Sequence, residues 1–168
     1  MRRTMIAGNW KLNKTIAEAT LFAALLSKRL VHHDVNARDV VIAPPYTALA
    51  AVAHAVAGTP IGVSAQDIFY ETEGAFTGAI SAPMVKEAGC TYTLVGHSER
   101  RLDFGETTET TAKRLRAAKH AGLIPIFCIG ETQQERESGR MQDILRAQLS
   151  VIKDLDFSAD TLVIAYEP

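Results

Sequence analysis

The sequence predicts an α/β fold built on a parallel sheet, with about six β/α units following one another along the chain. Three observations predict it. Short β-rich runs recur from one end of the chain to the other. Most are apolar throughout and do not alternate, which suits strands covered on both faces. Helical patterns fill the intervals between them.

The runs lie at residues 4–7, 40–43, 61–65, 92–95, 124–129 and 162–166. Thr15-Ile16-Ala17-Glu18 is a capping-box signature before an apolar stripe through Leu21, Leu25 and Leu26, so a helix follows the first run. Residues 48–57 form a small-residue helix ended by Gly58. Residues 81–88 carry Pro83 near the start and Gly89 past the end, the expected punctuation of a short helix. Residues 107–121 place Glu106 and Glu109 early and Lys113, Arg114, Arg116 and Lys119 later, matching the helix dipole. Residues 140–155 put Met141, Leu145, Leu149 and Ile152 on one stripe. A short helix is also expected from Ser98, whose hydroxyl would cap it.

Composition bounds the function. The 168 residues fit one domain, 1–168, with a sizeable core. A net charge of -1 gives no footprint for nucleic acid or an anionic membrane. Cys90 and Cys128 match no disulfide framework, and two reduced thiols suit a cytoplasmic protein. No signal peptide is expected, since residues 5–8 are too short an apolar run. Residues 40–66 carry no Asp, Glu, Lys or Arg, but Pro44, Pro45, Gly58 and Pro60 break any spanning helix; two strands around a buried helix explain the stretch.

Polar groups gather where the runs end: Asn9 and Lys11, Gln66 and Asp67, His97 and Glu99, Glu131, and Glu167. In sheets of this class, sites form at the carboxyl ends of strands. Any strand must exit into a polar loop, so many such residues are bland. Glu167 is different, since it comes straight off an apolar strand and precedes Pro168. A histidine at a helix N-terminus is disfavoured as a cation, which makes His97 a neutral hydrogen-bond donor. A carboxylate base, a neutral donor and an ammonium together suit proton abstraction beside a carbonyl: Glu167 takes the proton, His97 serves the oxygen, and Lys11 offsets the charge. An alternative makes Cys128 a nucleophile with His97 as its base, although a buried strand-end thiol is more often inert. His97-x-Glu99 lacks the paired cysteines of a zinc deaminase. His32-His33-Asp34 reads as solvated surface, so no metal is expected. Residues 74–78 are no phosphate-binding fingerprint, because no helix starts there.

Asn9-Trp10-Lys11, Gly74-Ala75-Phe76-Thr77-Gly78, Val95-Gly96-His97-Ser98-Glu99-Arg100-Arg101, Cys128-Ile129-Gly130-Glu131 and Ala165-Tyr166-Glu167-Pro168 stand in the order and spacing of one family. On these motifs, which run the length of the chain, the sequence resembles the triosephosphate isomerases. The resemblance implies a TIM (β/α)8 barrel, here with about six of its β/α units. It also implies cofactor-free interconversion of dihydroxyacetone phosphate and glyceraldehyde 3-phosphate through an enediolate, in glycolysis and gluconeogenesis. By it, Glu167, His97 and Lys11 are catalytic and Asn9 and Lys11 bind the phosphorylated triose. Glu99 and Cys128 support them from behind. A cytoplasmic homodimer is implied, with Phe76 and Thr77 inserting beside the partner.

Two departures from the family carry expectations. Ala79 stands where the family has a glutamate that pairs with an arginine, matching Arg100, of the other subunit; a looser dimer is expected. The chain also stops after its sixth strand, whereas a barrel of this class needs eight strands and about 250 residues. A chain truncated there would lack the lid and the phosphate-gripping strands, so little turnover is expected of it alone. The other reading is a catalytically dead fragment that associates through its open edges.

Overall fold

The computed structural model describes residues 3–31, 33 and 38–168. Its six strands are β1 (Thr4–Asn9), β2 (Arg38–Ala43), β3 (Ile61–Ala65), β4 (Tyr92–Val95), β5 (Ile124–Ile129) and β6 (Val163–Tyr166). All neighbours are parallel and the spatial order follows the chain order. Parallel neighbours need a crossover at every step. The crossovers are α1 (Ile16–Leu30), α2 (Leu49–Ala55), α3 (Ala82–Glu87), α4 (Ser98–Asp103), α5 (Thr108–His120), α6 (Gln133–Glu137) and α7 (Met141–Leu149).

Alternate strand residues serve two layers. Val40, Ile42, Ile61 and Val63 point outward to meet Ala19, Ala23, Leu49, Val52 and Val85 from the helices. Farther along the sheet Phe127 and Ile129 pack on Leu115 with Leu145 and Leu149. Val41, Ala43, Leu94 and Ile126 face the concave side, with Met5, Tyr92, Val163 and Ala165 beside them. From β2 to β5, cover on both sides explains the unbroken apolar runs, whereas β1 and β6 keep exposed positions.

Local chemistry sets the helix ends. The Thr15–Glu18 capping box forms, with the Thr15 N–H donating to Glu18 Oε2 at 2.8 Å. Two helices have a sequence origin not read above. Thr132-Gln133-Gln134-Glu135 repeats the T-x-x-E pattern, and Thr132 and Glu135 close a capping box on α6. At α4 the cap is the His97 side chain, and Ser98 is the first helical residue instead of the cap. The helix expected over 140–155 ends at Leu149 and tightens into a 3₁₀ turn at Ser150–Ile152. Just past that turn the Lys119 ammonium donates to the carbonyls of Leu155 and Asp156.

Residues 40–66 fold as β2, a 3₁₀ turn, α2 and β3, and among the described residues no helix is long and apolar enough to cross a membrane. His32 and Asp34 lie outside the described residues. The sheet is open: β1 and β6 each pair on one side. Side chains of those edge strands stand exposed, including Ile6 at 56% and Ile164 at 42%.

Gly62 in β3 leaves room for the Tyr92 ring of β4. A Cβ built on Gly62 would sit 2.7 Å from Tyr92 Cε2. Gly62→Ala is expected to destabilise the chain by about 1–3 kcal/mol through overpacking. Urea unfolding measures this, and Tyr92→Leu in the same chain should recover part of the loss.

Candidate active site

The site stands on strand ends. Asn9 closes β1, His97 follows β4 by two residues, Cys128 lies in β5, and Glu167 follows β6. Asn9, His97, Cys128 and Glu167 line one cavity of about 130 Å³, floored by Val41, Leu94 and Ile126. A larger hollow of about 340 Å³ adjoins it, lined by Ser98, Arg101, Gly130 and Glu167 among others. A further hollow of about 500 Å³ is at the opposite ends of the strands beside the Arg3–Asp39 ion pair, away from all the residues singled out above.

His97 is 6% exposed. Its Nδ1 accepts the Glu99 backbone N–H at 3.3 Å. A ring nitrogen that accepts carries no proton, so in the neutral ring the hydrogen belongs to Nε2. Nε2 lies 3.5 Å from Glu167 Oε1. The imidazole therefore presents a donor to the carboxylate side of the cavity, and the helix start that fixes the tautomer also fixes the ring. Ser98 Oγ donates to the other Glu167 oxygen at 3.3 Å, a contact that sequence reasoning missed because it assigned that hydroxyl to capping.

Lys11 joins through Glu99. Its Nζ donates to Glu99 Oε1 at 2.7 Å, while Glu99 Oε2 is 3.6 Å from His97 Nδ1. The hydrogen bond from Lys11, with its charge, holds the Glu99 carboxyl below the usual carboxylate range. The same bond, then the Glu99 charge, raises the Lys11 ammonium. Lys11, Glu99, His97 and Glu167 thus form one chain of contacts across the rim.

Behind Glu167, the Glu131 carboxylate has no exposed side-chain surface. It accepts from Arg136 Nε at 2.8 Å and from the Tyr166 hydroxyl at 3.0 and 3.1 Å, tying the end of β6 to the loop after β5. The sequence signals for this were the position of Glu131 at a strand end and its place in the Cys128-Ile129-Gly130-Glu131 motif. Arg100 meets Asp67 at 3.0 Å and lies over the Phe104 ring, so its guanidinium has partners within the chain.

The cavity does not gather everything. Phe76 and Thr77 sit in an exposed loop, where Phe76 packs on Phe69 with ring centroids 4.7 Å apart. Cys128 is at the cavity but chemically quiet. Burial, with the Glu167 charge second, pushes its thiol up to about 12, and Cys90 rises likewise to about 12. Burial therefore argues against Cys128 as nucleophile.

The curled sheet, with polar groups collected at the carboxyl ends of its strands, defines an incomplete (β/α)8 barrel. The family model for triosephosphate isomerase matches residues 4–168. The triosephosphate isomerase of Synechococcus sp. (strain CC9902) is 48% identical over all of this chain and 68% of its own length. That of Moorella thermoacetica is 46% identical, with 67% of its length covered. The crystal structure of triosephosphate isomerase from Bartonella henselae superposes with a TM-score of 0.89 at 35% identity, over 99% of this chain and 68% of that one. The chain belongs to the triosephosphate isomerase family, and it spans about two thirds of the length of these relatives.

Two measurements test the electrostatics. Iodoacetamide at pH 8 should modify Cys90 and Cys128 at least about 100-fold more slowly in the folded chain than after unfolding, as mass spectrometry would show. The Lys11–Glu99 pair should stabilise above the ordinary Glu range and fade as pH falls through the lowered Glu99 value; on the alkaline side it fades as pH rises through the raised Lys11 value. Both partners are half-exposed, so solvent screening keeps the effect small. Lys11→Met should move the Glu99 carboxyl back up toward its ordinary range in a carbon-13 NMR titration.

Proposed function

We propose that the chemistry of this site is the interconversion of dihydroxyacetone phosphate and glyceraldehyde 3-phosphate by proton transfer through an enediolate, the step shared by glycolysis and gluconeogenesis. Glu167 removes the proton from the carbon beside the carbonyl. The C–H electron pair moves into the enediolate, and the negative charge gathers on oxygen. His97 Nε2–H hydrogen-bonds that oxygen, and the Lys11 ammonium offsets the charge. His97 serves the two oxygens in turn, so that the hydroxyl proton leaves one oxygen and arrives on the other, and return of the proton from Glu167 to the neighbouring carbon completes the isomerisation. Asn9 contributes to holding the substrate, and Glu99 holds Lys11.

One observation carries this reading: His97 Nε2, the ring nitrogen left to donate once Nδ1 accepts the Glu99 N–H, lies 3.5 Å from Glu167 Oε1 in a cavity that both residues line. A base and a hydrogen-bond donor that close can serve adjacent carbon and oxygen atoms of one small substrate. The relatives' names support the substrate. We further propose a cytoplasmic homodimer in which the Phe76–Thr77 loop meets the partner's rim. Ala79 offers no carboxylate to that contact, and Arg100 is occupied by Asp67.

For the 168-residue chain alone, slow chemistry is expected, because binding energy from groups beyond the reacting centre lowers the barrier. The test is deuterium incorporation from D₂O into dihydroxyacetone phosphate, followed by NMR. Weak exchange, at least about tenfold below an ordinary full-length isomerase and abolished by Glu167→Gln, is the expected outcome. Turnover within about tenfold of that enzyme overturns the low-activity expectation. Exchange that survives both Glu167→Gln and His97→Gln overturns the assignment. No exchange, with concentration-dependent association, favours the inert, self-associating fragment.

A further inference from the structure

Lys11 has a left-handed backbone at φ 53°, one of three non-glycine residues in that region among those described. For a lysine the conformation crowds Cβ against the following carbonyl, which disfavours it. Such a residue persists only where its surroundings over-determine it. Here they do. The Trp10 N–H donates to the Ala43 carbonyl at 3.0 Å. Asn13 Nδ2 donates to the Trp10 carbonyl at 2.8 Å. The Lys11 N–H donates to Asn9 Oδ1 at 3.0 Å. The remaining backbone group, the Lys11 carbonyl, accepts from Gln66 Nε2 at 2.9 Å.

The same Gln66 nitrogen also donates to the Ala43 carbonyl at 2.9 Å. Two carbonyl oxygens flank that atom, and only an amide NH₂ satisfies both, which settles the orientation of the side chain. Gln66, the first residue past β3, therefore ties the loop after β1 to the last residue of β2. Few residues fit the task. Asparagine is one methylene short, ionised glutamate would face two carbonyl oxygens with no proton to give, and lysine would place a second ammonium beside Lys11.

We infer that Gln66 is a positioning residue for Lys11: its carboxamide grips the Lys11 carbonyl and holds the residue in the left-handed turn that directs its ammonium to Glu99. The consequence for catalysis rests on the proposed role of Lys11; the grip itself does not. The backbone turn and the ion pair are coupled, because the peptide that Gln66 holds sets where the lysine side chain begins.

NMR of the 168-residue chain tests this. In the unaltered protein both Gln66 side-chain amide protons should exchange with solvent at least about tenfold more slowly than those of a free glutamine amide. Gln66→Met keeps the length of the side chain and removes the donor. It should move the Lys11 Cα and carbonyl shifts out of the left-handed range and return the Lys11 ammonium toward its ordinary pKa. Signals of the Thr15–Glu18 cap should stay in place, showing that the fold is intact. Glycerol 3-phosphate, as a three-carbon probe, should bind about tenfold more weakly to the variant. Amide protons that exchange freely, or a Gln66→Met chain whose Lys11 keeps its left-handed shifts and raised pKa, would overturn the inference. If Lys11 moves while neither chain binds glycerol 3-phosphate, the grip stands and the substrate-binding role of Lys11 falls.

Discussion

Parallel pairing in chain order is the constraint on which everything else depends. When each strand lies beside its predecessor and points the same way, all the carboxyl ends meet on one rim and every return path crosses the helix layer. Residues 9, 11, 97, 99 and 167 then become neighbours despite their distance in sequence. An antiparallel arrangement of the same strands would send half of them to opposite ends.

Around that rim the backbone does as much chemical sorting as the side chains. The start of α4 supplies an N–H that fixes which His97 nitrogen carries hydrogen. The loop after β1 supplies carbonyls and N–H groups that fix Lys11, and Tyr166 binds Glu131 one residue before Glu167.

Burial then divides the candidate nucleophiles and bases. Cys128 and Glu167 line the same cavity, yet the thiol sits 3% exposed in a strand while the carboxylate stands at the strand's open end. Desolvation silences the first and leaves the second accessible. A catalogue of reactive residue types would rank both; their depth separates them.

Much of the fold could be read from residue order. Unbroken apolar runs announced strands, covered on both sides from β2 to β5 but not at β1 and β6, and Thr15-Ile16-Ala17-Glu18 announced a helix start, because both signals are local and need no knowledge of neighbours. Thr132-Gln133-Gln134-Glu135 carried the same message on a helix too short to show a stripe. Gathering Asn9, Lys11, His97 and Glu167 at strand ends was also legible, since strand direction follows from the β/α alternation. What residue order did not contain were the contacts made across the rim: His97 instead of Ser98 as the cap of α4, Ser98 on Glu167, Arg100 on Asp67, and Gln66 on Lys11. Each joins segments or competing donors whose outcome depends on distances of a few tenths of an ångström, and only the packed sheet sets those distances.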